Sequence, residues 1–343
     1  MPTPQDAYTR LDGTSMGTTW SVRLPTTGGY EQAQAPKGNG AAKTDGPDNL
    51  AALSHAIAQA LATVVDQMSN WQEDSVLSQL NRAERGWYQM PEPLYTVLAC
   101  ALDTARSSGG AYDPTLGELV KLWGFGPQGP RLDAPDANAI ARALALSGWT
   151  KTQLNPKHRG VWQPGGLHFD LSAIAKGYGV DEIARILDEH GFDHYLAELG
   201  GELKGKGLNA QGRPWTVNIE SPDSRLGALP VSLTNHAIAT SGDYRRCFIV
   251  DGRRYAHTID AQTGHPLPDD LASVSVLHPS CMQADAWATA LLCMGAERGP
   301  AYARVHGIAA VFMKRIANDI SLDWTPDFLA LGQGAWTMDA RPA

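Results

Sequence analysis

The stretch Ala239–Pro266, ATSGDYRRCFIVDGRRYAHTIDAQTGHP, decides how the rest of the chain is read. Its pattern predicts a strand end, a tight turn over Thr240–Asp243 and a hairpin with Asp251–Gly252 at its tip, a dipeptide favoured in two-residue hairpin loops. The returning strand, Arg254–Asp260, would carry His257 beside the first turn. A titratable ring, hydroxyl groups and an acid at one strand end are typical of a functional site. A surface hairpin with an incidental histidine fits these residues equally well.

The composition narrows the classes of protein to consider. The chain has 343 residues, of which 43% are apolar, so it can bury the core of one large domain or two lobes. The net charge is -8 and no basic stripe with interleaved aromatics occurs, which argues against a nucleic-acid partner. No apolar run approaches the roughly 18 residues of a membrane span. Met1–Arg10 lacks a charged-then-apolar leader, so we expect a cytosolic protein or an exported one without its leader.

The four cysteines do not predict a metal centre. Cys100, Cys247, Cys281 and Cys293 form no CxxC or CxxH pair, so a zinc or iron–sulfur site is not expected. Their even number permits disulfides. Their scatter and apolar neighbours favour buried thiols.

Hydrophobic periodicity predicts a mixture of helices and largely antiparallel strands. A stripe of apolar residues at three- and four-residue steps predicts a helix that begins at Asp48 or Asn49 and ends near Met68. The Gly- and Pro-rich segment 25–48 before it is predicted to be a flexible loop insertion in a single domain spanning 11–335. Further helices are predicted over 94–107, 134–147, 183–189 and 281–292, and strands over 161–162, 167–171, 195–199, 202–206, 215–220, 230–233, 273–277 and 308–313.

Three positions in the first half could bind a ligand. Met16 lies between small residues in a segment that begins as a Gly-bracketed turn, so we expect it exposed on a loop; a packing role is more common for such a residue. Trp71, beside a turn, could be a core aromatic or a stacking platform, and the residue type favours the core. Asp113 with the following Pro and Thr predicts a helix start, whose free N–H groups would suit an anion.

Two further clusters suggest a polar site. The predicted strand 167–171 passes Asp170 and feeds a helix with Lys176 in its first turn, a usual place for ligand contacts, although no P-loop or Rossmann fingerprint is present. Asp285 and Thr289 are four residues apart on a predicted helix and therefore share a face. Their hard oxygens would suit Mg²⁺. From the residues alone, an Asp285 that caps its own helix is favoured.

An ordered series of motifs resembles the ApbE family of FAD:protein FMN transferases and covers nearly the whole chain. The motifs are GTSMGT (13–18), MSNW (68–71) with Asp74-Ser75, AYDPT (111–115), LWGFGP (122–127), DLSAIAKGY (170–178), LGGE (199–202), TSGDY (240–244), HTIDAQTG (257–264) and ADAWAT (284–289). Each motif is a weak signal alone, and the order of the series is what carries the resemblance.

The resemblance implies an α+β fold with two α/β lobes, largely antiparallel sheets and an FAD cleft between the lobes. It places the flavin-binding positions at Met16, Trp71, Ala111, Tyr112, Asp113, Asp170, Lys176 and Ile259. The Mg²⁺ positions fall on Asp285 and Thr289, with the carbonyl groups of Ala173 and Ala288 as further candidates, and His257 matches the proposed catalytic base. The implied enzyme moves FMN from FAD to a Ser or Thr hydroxyl and releases AMP.

The family also implies partners and a location. Its acceptors are flavoprotein subunits of membrane electron-transfer complexes of the sodium-pumping, Rnf and NosR types. Most members are periplasmic lipoproteins, so we expect a membrane-tethered monomer whose export leader is not in this sequence. Two alternatives stay open: an FAD pyrophosphatase that yields FMN and AMP, and a flavin-binding carrier without catalysis. Ala261 stands where the family commonly has Pro, which predicts a looser turn after Asp260.

Overall fold

The computed structural model describes residues 7–26, 47–129, 131, 133–221, 229–242, 247–250, 253–316 and 319–332, and the account below concerns that part of the chain. Most of the predicted loop insertion 25–48, Asp243 of the predicted turn and the Asp251–Gly252 hairpin tip lie outside it. Among the described residues, no helix is both long enough and apolar enough to cross a membrane.

The elements alternate between helices and strands along the chain. The helices are α1 (Pro47–Met68), α2 (Val76–Arg82), α3 (Glu92–Ser107), α4 (Gly117–Leu122), α5 (Ala137–Leu146), α6 (Ala175–Glu189), α7 (Cys281–Val305) and α8 (Pro326–Leu331). The strands are β1 (Tyr8–Ser15), β2 (Thr18–Pro25), β3 (Gly86–Gln89), β4 (Leu154–Asn155), β5 (Gly160–Gln163), β6 (Tyr195–Leu199), β7 (Glu202–Lys206), β8 (Trp215–Ile219), β9 (Leu229–Leu233), β10 (His236–Gly242), β11 (Cys247–Val250), β12 (Arg253–Ala256), β13 (Leu271–His278), β14 (Ala309–Ile316) and β15 (Asp319–Trp324).

An eight-stranded sheet is the largest structural unit. Its order is β1-β2-β6-β7-β10-β13-β14-β15, and every strand pair in it is antiparallel. A three-stranded sheet, β3-β5-β4, and the two-stranded pairs β8-β9 and β11-β12 complete the set among the described residues. The predicted α+β class with largely antiparallel strands is therefore confirmed.

The apolar stripe of α1 fixes this helix against the sheet. Leu53, Ile57 and Leu61 are fully buried and pack with apolar residues of α6 and strands β2 and β6. The stripe continues into a second cluster through Val64 and Met68, which meet α3. A helix with such a one-sided stripe is stable chiefly through its tertiary contacts, so α1 ties the sheet to the layer that contains α3.

The predicted strand over 167–171 is wrong. This segment is extended but forms only an isolated bridge at His168, because side-chain amides take the place of a neighbouring strand. Asn81 donates to the Phe169 carbonyl (2.9 Å) and accepts from its N–H (2.8 Å). Gln163 does the same for Leu167, at 3.0 and 3.2 Å. The segment is thus held firmly without belonging to a sheet.

Two predictions about the opening stretch are also wrong. Thr240–Gly242 is not a turn: it forms the end of β10 and pairs with β13. The returning strand β12 ends at Ala256, so His257 lies just beyond the strand and not within it. The first difference arises because long-range pairing with β13 extends β10 past the small residues that suggest a turn. The second arises because the pairing of β12 with β11 ends at Ala256, opposite Cys247.

The first motif, GTSMGT, is a hairpin. Gly13 to Ser15 belong to β1, and the turn to β2 consists of Met16 (φ 53°) and Gly17 (φ 71°). Positive φ at both central residues is characteristic of the type I′ turns that match strand twist. Met16 is half-buried and packs against two apolar clusters, so its predicted exposure is wrong.

All four cysteines are free thiols. The predicted burial is confirmed for Cys281, and this burial raises the pKa of its thiol well above the usual range. Burial also raises the pKa of the Cys293 thiol to about 12. It is wrong for Cys247, which is exposed on β11.

Candidate active site

A single cavity of about 1210 Å³ collects almost every predicted site residue. Twelve positions from distant parts of the sequence line it: Met16, Trp71, Ala111, Tyr112, Asp113, Asp170, Ala173, Lys176, His257, Ile259, Asp285 and Thr289. Ala288 does not line it; this residue is fully buried in the regular part of α7. The volume exceeds the roughly 300–1,000 Å³ of a drug-sized ligand pocket, so the cavity could accommodate a dinucleotide.

Trp71 belongs to the cavity and not to the core. Its side chain is 54% exposed, so the core role favoured by residue type is wrong. Ser69 shapes the turn that carries it: its Oγ accepts the N–H groups of Trp71 (3.0 Å) and Gln72 (3.3 Å). An exposed indole on an ordered turn offers a flat face for stacking a planar ring.

Asp113 stabilises a turn, and the helix start predicted directly after it is wrong, because α4 begins at Gly117. Its carboxylate accepts the Thr115 N–H (2.8 Å), the Thr115 hydroxyl (2.6 Å) and the Trp149 N–H (3.0 Å). Burial raises the pKa of this carboxyl, and these hydrogen bonds oppose the rise. The helix α4 begins only at Gly117, whose N–H donates to the His168 carbonyl. The N–H groups of Thr115 and Gly117 are therefore occupied.

Asp170 lies where the amide-held segment meets the turn before α6. Its N–H donates to the Pro114 carbonyl (2.8 Å), and its Oδ1 accepts the Ser172 N–H (2.8 Å).

Another residue that lines the cavity, Tyr112, is buried, and within the described residues its hydroxyl has no hydrogen-bond partner. Burial raises the pKa of this phenol well above its usual range, so Tyr112 is a neutral donor among the residues that line the cavity.

Lys176, Asp285 and Glu202 form a buried charged corner of the cavity. Lys176 Nζ forms an ion pair with Glu202 Oε1, and Asp285 and Glu202 are each only 3% exposed. Burial raises the pKa of Glu202 to about 7 against the lowering effect of Lys176. Burial also raises the pKa of Asp285, opposed by Lys176 and the Gly177 N–H. For Lys176, burial lowers the pKa, but the two carboxylates outweigh it and raise the pKa.

Glu202 is the functional candidate that sequence reasoning missed. Within the described residues, its second oxygen, Oε2, has no hydrogen-bond partner. The signal that was available is its place in the LGGE motif, directly after the Gly200-Gly201 turn between β6 and β7. Gly200 has φ 61°, and a Cβ there would lie 2.8 Å from Thr18 and 3.3 Å from Lys176. The glycine therefore leaves room for the lysine to reach Glu202.

The Asp285 carboxylate does not cap its own helix, because Ser280 is the N-cap of α7. Instead, Asp285 Oδ2 accepts the Gly177 N–H of α6 (3.0 Å). Gly177 is the third residue of α6, where a backbone N–H has no partner within the helix, so the Asp285 carboxylate satisfies it. Thr289, one turn along α7, shares a hydrogen bond of 2.7 Å with the Ser241 hydroxyl. Asp285, Ala173 and Thr289 all line the cavity, and they offer a carboxylate, a backbone carbonyl and a hydroxyl.

His257 is held by aromatic residues of the LWGFGP motif. The Phe125 ring meets the imidazole edge-on, with 6.2 Å between ring centroids. Trp123 stacks on Tyr255 at 5.4 Å, and its Nε1–H donates to the Gly264 carbonyl (2.8 Å). The histidine loop is therefore anchored on both sides of the imidazole.

The turn after Asp260 is closed without the proline. Asp260 Oδ1 accepts the N–H groups of Gln262 (2.7 Å) and Thr263 (2.8 Å), and its backbone exchanges bonds with Gly264 and His265. These bonds define the turn around Ala261. The looser turn expected from the missing proline stays a prediction.

Comparison with known proteins identifies the fold and the family. The model of the ApbE family matches residues 16–312. A curated FAD:protein FMN transferase of Klebsiella pneumoniae is 34% identical over 95% of this chain and 89% of its own length, and one of Vibrio cholerae is 38% identical over 88% and 86%.

Solved structures agree with the sequence comparison. The flavin transferase ApbE of Vibrio cholerae superposes with a TM-score of 0.81 at 34% identity, covering 94% of this chain and 98% of that one. The apo form of the Pseudomonas stutzeri flavinyl transferase ApbE gives a TM-score of 0.83 at 33% identity, covering 96% and 98%. The predicted resemblance is confirmed over nearly the full length, and this chain belongs to the ApbE family.

Proposed function

We propose that this chain transfers FMN from FAD to a Ser or Thr hydroxyl of an acceptor flavoprotein and releases AMP. The convergence of twelve predicted site residues on one cavity carries the proposal. The curated relatives are FAD:protein FMN transferases, which confirms the prediction that the chain is an enzyme of the transferase class. The chain covers 89% and 86% of the length of these two relatives.

The proposed reaction exchanges one phosphorus–oxygen bond for another. The acceptor hydroxyl oxygen bonds to the phosphorus on the FMN side of the pyrophosphate. The bond from that phosphorus to the bridging oxygen breaks, and the bridging oxygen leaves with AMP. The hydroxyl proton must move to a base, and the product is a phosphoester between FMN and the acceptor side chain.

His257 is the proposed base. It lines the cavity and is half-buried, and Phe125 restricts its ring. An imidazole accepts a proton at neutral pH because its ordinary pKa is close to 6.5. General-base help of this kind is typically worth about 10²–10⁴-fold in rate. Positioning of the hydroxyl against the phosphorus can contribute more, on the order of 7–11 kcal/mol.

The oxygen-lined wall of α7 fits a magnesium ion. Within the described residues, no group of three or more His, Cys, Asp or Glu residues could hold a metal. Mg²⁺, however, accepts carbonyl and hydroxyl oxygens together with one or two carboxylates. The carbonyl of Ala173, the carboxylate of Asp285 and the hydroxyl of Thr289 provide such a set, whereas Ala288 does not line the cavity. When bound, Mg²⁺ would neutralise charge on phosphoryl oxygens.

The remaining cavity residues would bind and orient the flavin nucleotide. Trp71 offers a stacking face, and the buried Tyr112 hydroxyl is a donor without a partner among the described residues. The acceptor is proposed to be a flavoprotein subunit of a membrane electron-transfer complex of the sodium-pumping, Rnf or NosR type. A monomeric, periplasmic, membrane-tethered enzyme is the matching proposal for its location.

A direct acceptor assay tests this function. The chain is incubated with FAD, Mg²⁺ and a candidate acceptor domain, and intact-mass measurement is combined with detection of AMP. Transfer predicts an acceptor heavier by one FMN and an equal amount of AMP. FMN and AMP in solution with an unmodified acceptor would indicate a pyrophosphatase instead, and FAD that stays intact and bound would indicate a carrier.

A further inference from the structure

Two carboxylates connect α6 and α7 in opposite directions. Asp285 of α7 accepts the Gly177 N–H from the first turn of α6 (3.0 Å). Asp181 of α6 accepts the N–H groups of Cys281 (3.1 Å) and Met282 (3.0 Å), the first two residues of α7. Each helix thus supplies an acid that satisfies unpaired N–H groups at the start of the other.

The spacing of these contacts is the same on both helices. Gly177 and Asp181 are four residues apart on α6, and Cys281 and Asp285 are four residues apart on α7. Residues four apart share one face of a helix, separated by about one turn of 5.4 Å. Gly177 meets Asp285 while Asp181 meets Cys281, so two contacts one turn apart fix both the sliding and the rotation of α7. With a single contact, α7 could still rotate about that point.

Gly177 brings the two helices into backbone contact. A Cβ at this position would lie 2.4 Å from the Cys281 carbonyl oxygen and 2.8 Å from the Asp285 Cβ, distances that real Cβ atoms do not adopt. Close backbone approach explains why a carboxylate as short as that of Asp285 reaches the Gly177 N–H. Because the two backbones already touch at Gly177, the position of α7 depends on the second contact, which Asp181 makes with the first residues of α7.

Asp181 uses most of its hydrogen bonds for this connection. Besides the two N–H groups, it accepts the Ser280 hydroxyl (2.7 Å) and pairs with Lys204 Nζ of β7 (2.7 Å). Its side chain is 20% exposed, and it does not line the active-site cavity. The residue therefore has no direct contact with a ligand of the active-site cavity.

We infer that Asp181 is a positioning residue that holds the Asp285 carboxylate in place at the cavity by fixing the first turn of α7 on α6. This inference rests on the proposed role of Asp285 as a metal ligand. Ligand groups must be held within about 0.5 Å of their working position. Removing a group that orients a ligand typically costs about 10–100-fold in metal affinity, and that is the loss expected here.

Direct counting of bound ion tests the inference without relying on activity. Mn²⁺, which prefers the same oxygen ligands as Mg²⁺, is titrated into the full chain with FAD present, and the unbound ion is measured by electron paramagnetic resonance. Asp181→Ala should weaken Mn²⁺ binding about 10–100-fold. Asp181→Asn should weaken it less, since an amide oxygen can still accept one N–H group, and it keeps the shape of the side chain if the alanine variant does not fold.

Asp188 provides the matched control on the same helix. Its carboxylate accepts the Tyr195 hydroxyl (2.9 Å) and Lys206 Nζ (3.2 Å), far along α6 from the cavity. Asp188→Ala should lower the unfolding temperature and leave Mn²⁺ affinity unchanged. Equal Mn²⁺ affinity of the Asp181→Ala and unmodified chains would overturn the inference while the proposed function stands. Absence of Mn²⁺ binding to the unmodified chain would overturn the metal role of Asp285, and this inference with it.

Discussion

Replacing Glu202 by glutamine tests whether the buried corner of the cavity holds a proton. Burial raises the pKa of Glu202 to about 7 in the folded chain, with Lys176 lowering it and Asp285 raising it further. Against the ordinary value of 4.5, this corresponds to about 3 kcal/mol at 1.36 kcal/mol per pKa unit. The folded chain then binds more protons than the unfolded chain between pH 4.5 and about 7. The contribution of Glu202 to the free energy of unfolding should therefore fall as the pH rises through this window.

In the Glu202→Gln chain this loss should disappear. The amide and the protonated carboxyl have nearly the same shape, so the two chains should be equally stable near pH 4.5. The variant should become more stable than the unmodified chain by about 3 kcal/mol above pH 7. Urea unfolding at a series of pH values measures the difference. Glu198→Gln, a half-buried acid on the neighbouring strand β6, gives the same change in charge as a control. Parallel curves for the Glu202→Gln and unmodified chains would refute the reasoning.

Three further substitutions test other parts of the site. His257→Ala should reduce FMN transfer by about 10²–10⁴-fold and leave FAD binding intact. Acceptor mass measures the transfer, flavin fluorescence measures FAD binding, and His265→Ala, outside the cavity, is the control. Undiminished transfer by the His257 variant would contradict its role as the base. Asp285→Ala should abolish the Mg²⁺ dependence of transfer, and an unchanged response to added Mg²⁺ would contradict the ligand role. Asn81→Ala should lower the free energy of unfolding by about 1–3 kcal/mol, because both backbone groups of Phe169 lose a buried partner; an unchanged urea midpoint would show that water replaces the amide.

The sequence predicted those elements whose signal is local. The α1 stripe and strands β6, β7 and β9 are found within a residue or two of their predicted bounds, because hydrophobic period and Gly turns act over a few residues. The motif series also identified the cavity, since twelve of its residues meet there. No spacing along the chain, however, indicated that the LWGFGP motif would support the His257 loop through Trp123 and Phe125. That contact joins segments more than 130 residues apart, and only the fold brings them together.

The errors have a common physical origin in side chains that replace backbone partners. The segment around Asp170 alternates in polarity like a strand, yet Asn81 and Gln163 satisfy its N–H and C=O groups in place of a neighbouring strand. Asp113 likewise uses its carboxylate on Thr115 and Trp149, where a helix start was expected. A local sequence pattern indicates which secondary structure a segment could form. It does not indicate that a side chain from a distant segment will hydrogen-bond to the backbone in place of a neighbouring strand or helical turn.

This substitution explains why the cavity walls are irregular and still ordered. A strand edge or a helix start devotes its N–H and C=O groups to its own ladder, whereas a segment held by buried amides and carboxylates can turn other groups towards a ligand. Gly177 at the start of α6 shows this arrangement, since its N–H donates to the Asp285 carboxylate of another helix. The buried side chains that hold such a segment need hydrogen-bond partners for their own polar groups. Losing one of these partners lowers the free energy of unfolding. The residues that hold the walls, Asn81 and Asp181 among them, should therefore tolerate substitution as poorly as residues that touch the ligand.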